Sequence, residues 1–488
     1  MKPKILFIAP LPPPVHGSAM VSQYIKDSKL VNEQFDCDFV NLSTSRRMDE
    51  IGKGGIKKLL RFIGSYFAVF FKLLTHRYNL CYLAITCHGV GFLKDAPFVL
   101  LCKLFGRKVL IHQHNKGMSG CVDRWPYRWL IPLVYRNTKV MLLSWHLYPD
   151  IEKVVGRDQV VICPNGIPEL ADCRLQTTDD RQQTTDCHPE GDSLAVTKTN
   201  TASRMSTDGS QLNNEVVTAH SPQLIAHSSW LIDSKLVNSH TDCTDYTETI
   251  SCQRDLNEIT QNTRCCARVG HPVCVSNENC HPDGVSEMSA APSLRGRAGG
   301  EAPNLLFLSN LIESKGVYVL LDACKVLRER GLQFMCDFVG GETKEIDRAV
   351  FEAEVKERGL EDCVAYHGPQ YGEDKLRFFA QADVFVFPTF YYNECFPLVL
   401  LEAMQYRLPM VSSDEGGIPD IVQNRVNGFV AERKNVTALA DALEKLIVDP
   451  ALRHQMGEQG YARYKEKYTL EAFEACFVEC LASGEAFV

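Results

Sequence analysis

The chain has no basic excess. Its 52 Lys and Arg face 60 Asp and Glu, a formal net charge of −8 over 488 residues. That argues against a general nucleic-acid binder, which needs a basic surplus or face to neutralise phosphates. A secretory signal is not expected either, because the opening MKPKILFIAPLPPP runs into prolines too early to supply a hydrophobic signal region. Long charge-free apolar runs are also missing. The most apolar segment, 54–77 (GGIKKLLRFIGSYFAVFFKLLTHR), is interrupted by Lys57, Lys58, Arg61 and Lys72, too many charges for a spanning helix. Twenty cysteines would suggest disulfides in a short secreted chain, but twelve of these lie in or beside apolar runs, as Cys81, Cys102, Cys324 and Cys336 do. Free thiols act there as small hydrophobes, and the expected compartment is the reducing cytosol.

An apolar fraction of 45% and a charged fraction of 23% fit a folded protein, and the length exceeds one hydrophobic core. KILFIAP is a strand stopped by Leu-Pro-Pro-Pro, after which His16-Gly17-Ser18 opens a helix. Strands and helices then alternate through CDFVNLS, the long segment around 54–77, NLCYLAI, DAPFVLLCKLFG, KVLIHQH, WPYRWLIPLVY, KVMLLS and VVICPNG. Parallel pairing through right-handed crossovers follows, giving an α/β, doubly wound first domain over 1–168.

From 169 to 303 the composition changes to Thr, Ser, Asn, Asp, Gln, Cys and His without sustained periodicity, so this insert is expected to be disordered. Its eight cysteines and six histidines invite a zinc reading around RCCARVGHPVCVSNENCH, but no Cys-x2-Cys pair supports it. The alternation resumes in a second doubly wound domain, 304–465, with two closing helices expected from Val436 onward. The last of them, 466–488, has the reach to cross back to the first domain. The fold class is therefore two Rossmann-like domains facing a cleft, with a long polar insert between them.

NECFPLVLLEAM places Glu394 in a loop after a strand and Glu402 on the following helix, whose first turn Pro397 suits. Two carboxylates at the C-terminal edge of such a sheet suit a polyhydroxylated ligand. An isolated pair of this kind would more often be a solvated helix residue and a dipole-favoured N-terminal charge. Two neighbours change the balance. Gly416-Gly417 makes a turn whose amides can approach a ligand, and Lys315 opens a helix after the domain's first strand, where it suits a phosphate. His112 and His114 alternate on one strand end and so face the same side.

Taken together, FLSNLIESKGVYVLLDA, FVGG, HGP, ADVFVFPT, NECFPLVLLEAM with its Glu-x7-Glu spacing, and EGGIPDIV with NGF resemble family 4 of the retaining glycosyltransferases, of GT-B fold. PLPPPVHGSAM, KVLIHQHNKG and VICPNGI extend the resemblance to everything but the insert. It implies a nucleotide-sugar donor held by the second domain and a glycan or lipid-linked acceptor met by the first, in cell-envelope polysaccharide or lipopolysaccharide synthesis. Glu402 would bind donor ribose and Glu394 the donor sugar, flanked by Cys395, Phe396, Pro397 and Leu398. Lys315 would hold the diphosphate with amides near Gly416, Gly417 and Ile418. Gly17 and Ser18, after His16, would approach from across the cleft, and His114 would be the active-site histidine. The family's Gly-Arg pair is here Ser309-Asn310, so Asn310 is left with a polar contact and more diphosphate charge falls on Lys315.

Transfer in this fold is thought to need no protein nucleophile. No Asp-x-Asp stands at a strand end beside these residues, so neither a metal nor another cofactor is expected. The alternatives are an epimerase of the same fold, which the Glu394–Glu402 pairing argues against, and an inactive binding or scaffold protein. The basic, apolar segment 54–77 suits the cytoplasmic face of a membrane as a peripheral contact, or else packing on the first sheet.

Overall fold

The computed structural model describes residues 2–13, 17–43, 56–170 and 302–486, all within one compact unit. His16 and nearly all of the polar insert lie outside the described residues.

The first domain carries β1 (Lys4–Ala9), β2 (Asp36–Asn41), β3 (Leu80–Ile85), β4 (Lys108–Gln113), β5 (Lys139–Leu142) and β6 (Val160–Ile162). Its helices are α1 (Gly17–Asp27), α2 (Lys29–Gln34), α3 (Ile56–Thr75), α4 (Gly89–Leu104) and α5 (Tyr127–Tyr135). The strands form a parallel sheet in the order β2-β1-β3-β4-β5-β6. LCYLAI in β3 is buried at every position, as expected for a central parallel strand covered on both faces. The short α2 was not separable from α1 by periodicity. It exists because Ser28 caps it, accepting from the Val31 amide at 3.2 Å.

The second domain carries β7 (Asn304–Leu308), β8 (Met335–Val339), β9 (Val364–Tyr366), β10 (Val384–Phe387), β11 (Met410–Ser413) and β12 (Gly428–Ala431). Between them run α6 (Val317–Glu329), α7 (Arg348–Glu357), α8 (Gly372–Gln381), α9 (Leu398–Gln405) and α10 (Ile418–Ile421). This sheet is also parallel, in the order β12-β11-β10-β7-β8-β9, so the winding reverses between β7 and β10. Three helices close the chain rather than the two expected: α11 (Val436–Val448), α12 (Pro450–Lys467) and α13 (Leu470–Ala486). Asp449 caps α12 through the Leu452 amide, and Pro450 at its first position ends any continuation of α11.

Helix α13 leaves the second domain and packs on the first. Phe473, Phe477 and Leu481 share a core with Ile5, Phe7, Tyr82 and Leu110. The two crossing segments touch: the Ile167 amide donates to Tyr468 O at 3.0 Å and the Tyr464 hydroxyl to Ile167 O at 2.9 Å. Phe477 is fully buried, its ring 5.4 Å from Tyr82 and 6.5 Å from Phe7. Phe477→Ala should therefore cost about 3–5 kcal/mol in urea unfolding, as truncation of a buried aromatic does; a loss under about 1 kcal/mol would show that α13 does not hold this position.

Candidate functional site

The switch between β7 and β10 is where a parallel sheet of this order opens a crevice, because the loops after these strands leave in opposite directions. The loop after β7 ends in a short turn at Glu313–Lys315 and then Gly316, whose φ is +90°. A Cβ there would lie 2.3 Å from Pro388 O, so only glycine lets this loop meet the one after β10. The Phe390 amide donates to Ser314 O at 2.8 Å and stitches the two loops together. The outcome is a direct pair: Lys315 Nζ lies 2.6 Å from Glu394 Oε2, with side-chain exposures of 16% and 12%. Tyr391 covers the ammonium face-on at 4.3 Å. The Lys and the Glu read separately from the sequence are one unit.

Glu402 projects from α9, which Pro397 precedes as its N-cap residue. It is almost fully buried and bonds to Lys375 Nζ of α8 at 2.7 Å through Oε1. Its Oε2 is buried with no hydrogen-bond partner. The Asn310 and Asn393 Oδ1 atoms are in the same condition. Three orphaned acceptors around one switch point ask for hydroxyl or amide donors. Tyr24 of α1 senses Glu402: burial first, then this carboxylate, pushes the Tyr24 phenol up.

The glycine turn follows β11. Gly416 has φ +57°, and a Cβ there would strike Glu394 O at 2.2 Å, so the turn lies directly on the Glu394–Cys395 backbone. The Gly417 amide donates to Cys395 O at 2.6 Å and the Ile418 amide to Glu415 O at 3.2 Å. Both amides are therefore engaged within the protein, and the turn's first task is to hold the Glu394 loop. Leu398, like Cys395 and Phe396, is buried. Glu415, which was not singled out from the sequence, is 3% exposed and accepts from Lys116 of the first domain and, at 3.0 Å, from Arg433. Lys116 is placed by its loop. Asp150 accepts from the amides of Gly117, Met118 and Ser119 at 2.8–3.1 Å, and Asn115 braces Cys87. Ser144 and His146 of the first domain meet Asp420 of α10.

Across the cleft, His112 and His114 lie together at the end of β4, ring centroids 4.0 Å apart. His112 is fully buried, and its Nδ1 lies 2.7 Å from the Tyr82 hydroxyl. Burial and the neighbouring His114 hold its ring neutral, well below the usual imidazole range. His114 is half-buried. Gly17 and Ser18 form the first turn of α1, where Ser18 O accepts from the Ser22 hydroxyl at 2.8 Å.

Fold and site together define a two-domain α/β protein of the GT-B kind, with a basic and carboxylate-lined cleft at the second sheet's switch point. Residues 296–463 match the family described as glycosyl transferases group 1, and the second domain is a domain of that kind. A curated relative, the amylovoran biosynthesis glycosyltransferase AmsK of Erwinia amylovora, is 33% identical over 146 residues, covering 29% of this chain and 35% of that protein. The chain spans less than half the length of the first curated relatives it matches. Among solved structures, sucrose-phosphate synthase from Thermosynechococcus elongatus shares the fold with a TM-score of 0.56 at 14% identity, covering 99% of both chains. HepE of Anabaena, solved in complex with UDP, does so with a TM-score of 0.56 at 13% identity over 99% of this chain and 100% of that one.

The Lys375–Glu402 pair generates a test. Lys375→Met should cost about 3–5 kcal/mol because it leaves a buried carboxylate unpaired, whereas Lys375→Met with Glu402→Leu should recover most of that loss. Denaturant unfolding of the two variants decides it: equal stability would show that Glu402 is not charged and buried as described.

Proposed function

We propose that the protein is a retaining glycosyltransferase that moves a sugar from a nucleoside-diphosphate sugar to a hydroxyl of a glycan or lipid-linked acceptor in envelope polysaccharide synthesis. The observation that carries this reading is the Lys315–Glu394 pair at the β7/β10 switch, with unpartnered acceptors on Asn310 and Glu402 beside it. A donor brings both halves that such a site needs. Its diphosphate competes for the Lys315 ammonium, and its hydroxyls take the Glu394 carboxylate thereby released. The Glu402 oxygen that lacks a partner suits a ribose hydroxyl, with Lys375 fixing the other oxygen.

In the transfer step the acceptor oxygen forms a bond to the anomeric carbon as the bond from that carbon to the diphosphate oxygen breaks. The departing phosphate takes the acceptor's proton on the same face. Lys315 stabilises the charge that grows on this leaving group, so the protein acts by positioning and electrostatics. His114 faces the reacting sugar from the first domain. In this reading the charge is met by the chain's own ammonium, and no metal takes part. The UDP complex of HepE and the polysaccharide-pathway names of the relatives support the donor and acceptor classes.

Helix α3 supports a lipid-side acceptor. Phe62, Tyr66 and Phe70 pack inward beside buried Val69 and Leu73. Ile56, Leu60, Phe67, Phe71 and Leu74 form an outward stripe at helical spacing and are 52–78% exposed. No helix among the described residues is long and apolar enough to cross a membrane, so this face is proposed to lie in the interface of a cytoplasmic leaflet. Lys72, one of its basic residues, is held by Asp38 at 2.9 Å and contributes less to that contact than its sequence position suggests.

Binding and hydrolysis of UDP-, GDP- and ADP-sugars by the purified protein test the transferase reading. One donor should bind, with Lys315→Ala and Glu402→Ala each weakening it roughly 10–100-fold, the worth of a charged hydrogen bond. A well-folded protein that binds none would instead be a binding or scaffold protein, and an epimerised sugar as product would mean an epimerase. For the membrane contact, co-sedimentation with anionic vesicles should fall about tenfold or more in Phe67→Ser/Phe71→Ser; unchanged binding would remove α3 from the membrane.

A further inference from the structure

Away from the cleft, three cysteines from two segments far apart in sequence meet. Cys163 follows β6 directly, where the chain leaves the first sheet, and its amide extends the ladder to Leu142 O at 2.9 Å. Cys476 and Cys480 stand one turn apart on the same face of α13. The three Sγ atoms lie within 4.8 Å of one another. Cys163 is fully buried, Cys480 nearly so, and Cys476 half-buried. The Sγ atoms of Cys476 and Cys480 also lie 3.5 and 3.7 Å from Ile162 O.

We propose that Cys163, Cys476 and Cys480 form a three-thiolate site for a thiophilic divalent cation such as Zn2+, clamping α13 to the segment that leaves the first domain. A tetrahedral zinc with Zn–S bonds of about 2.3 Å needs sulfurs roughly 3.8 Å apart, so small side-chain rotations close the set. The half-exposed side of Cys476 gives entry and leaves a fourth position for water. Binding exchanges three thiol protons for the metal, so it strengthens as pH rises. The clamp sits just before the contacts of Ile167 with Tyr464 and Tyr468, and therefore fixes where both crossing segments leave the first domain.

The test uses the reduced full-length chain, with Cd2+ and Zn2+ as probes. Titration followed by sulfur-to-cadmium charge-transfer absorption should show one bound equivalent fewer in Cys476→Ser and in Cys480→Ser. Cys81→Ala, a buried thiol elsewhere in the first domain, should keep the full number, and the difference sets aside metal bound by other cysteines. Zn2+ should also slow alkylation of Cys476, read by peptide mass spectrometry, by about tenfold or more. Equal equivalents in all variants, or alkylation indifferent to Zn2+, overturns the proposal. A Cys163–Cys476 disulfide that persists in the isolated protein and excludes Zn2+ does so as well.

Discussion

Lys315 and Glu394 are drawn to each other across two loops that a parallel sheet would otherwise send apart. Both side chains are largely shielded from water, so each depends on the other: removing one would strand a charge in a poorly solvated crevice. Much of the second domain's local structure can be understood as holding this pair. Gly316 permits the loops to meet, the Phe390 amide stitches them, Gly416 lets the β11 turn lie on the Glu394 backbone, and Tyr391 shields the ammonium. Such a pair is a poor stabiliser, and in the proposed function it serves as a receptor. A ligand with an anionic end and a hydroxyl-bearing end can replace both partners at once, and few other ligands can.

The same logic extends across the domains. Glu415 is buried between Lys116 and Arg433, and Asp420 takes Ser144 and His146. These polar contacts join loops at the strand ends, beside the cleft. The other join, Ile167 with Tyr464 and Tyr468 followed by α13 on the first sheet, is partly apolar and lies on the crossing segments. Polar contacts exchange partners with water at modest net cost, whereas buried aromatics do not. Relative motion of the domains would thus break the cleft-side contacts first and keep the crossing side as its pivot.

The alternation of strands and helices was legible because parallel strands read as continuous apolar runs between amphipathic helices. The Glu-x7-Glu spacing and the glycine pair were legible because they lie close in sequence. What stayed hidden depended on tertiary pairing. Lys375 looks like any exposed lysine in a polar helix, and only Glu402, 27 residues on, makes it a buried counter-charge. Lys116 and Glu415 are 299 residues apart. Glu415 stood beside a glycine pair already singled out, and that adjacency was the one available signal. The turn's amides are expected from sequence to face a ligand, yet the Gly417 amide serves the Glu394 loop and the Ile418 amide closes the turn on Glu415 O, because backbone accounting is completed within the protein first. The three-helix ending was missed because Asp449-Pro450 lies between two polar-apolar patterns that read as one.

Helix α3 connects the sheet's geometry to the proposed acceptor. It starts after β2, and its Ser65 hydroxyl donates to Asn41 O at 3.1 Å, at the strand's C-terminal end. Farther along, Lys72 reaches Asp38, near the strand's beginning. The helix therefore runs antiparallel to β2, and its first half lies at the end of the sheet where the first turn of α1 carries Gly17 and Ser18 and the end of β4 leads to His114. Ile56, Leu59 and Leu60 are exposed in that first half. If this stripe rests in a lipid interface, the mouth of the cleft on the first-domain side sits close to the headgroups. A lipid-linked hydroxyl then approaches the donor from the His114 side without leaving the membrane surface, and a single helix that looks like an ill-fitting core element acquires a reason for its outward apolar face.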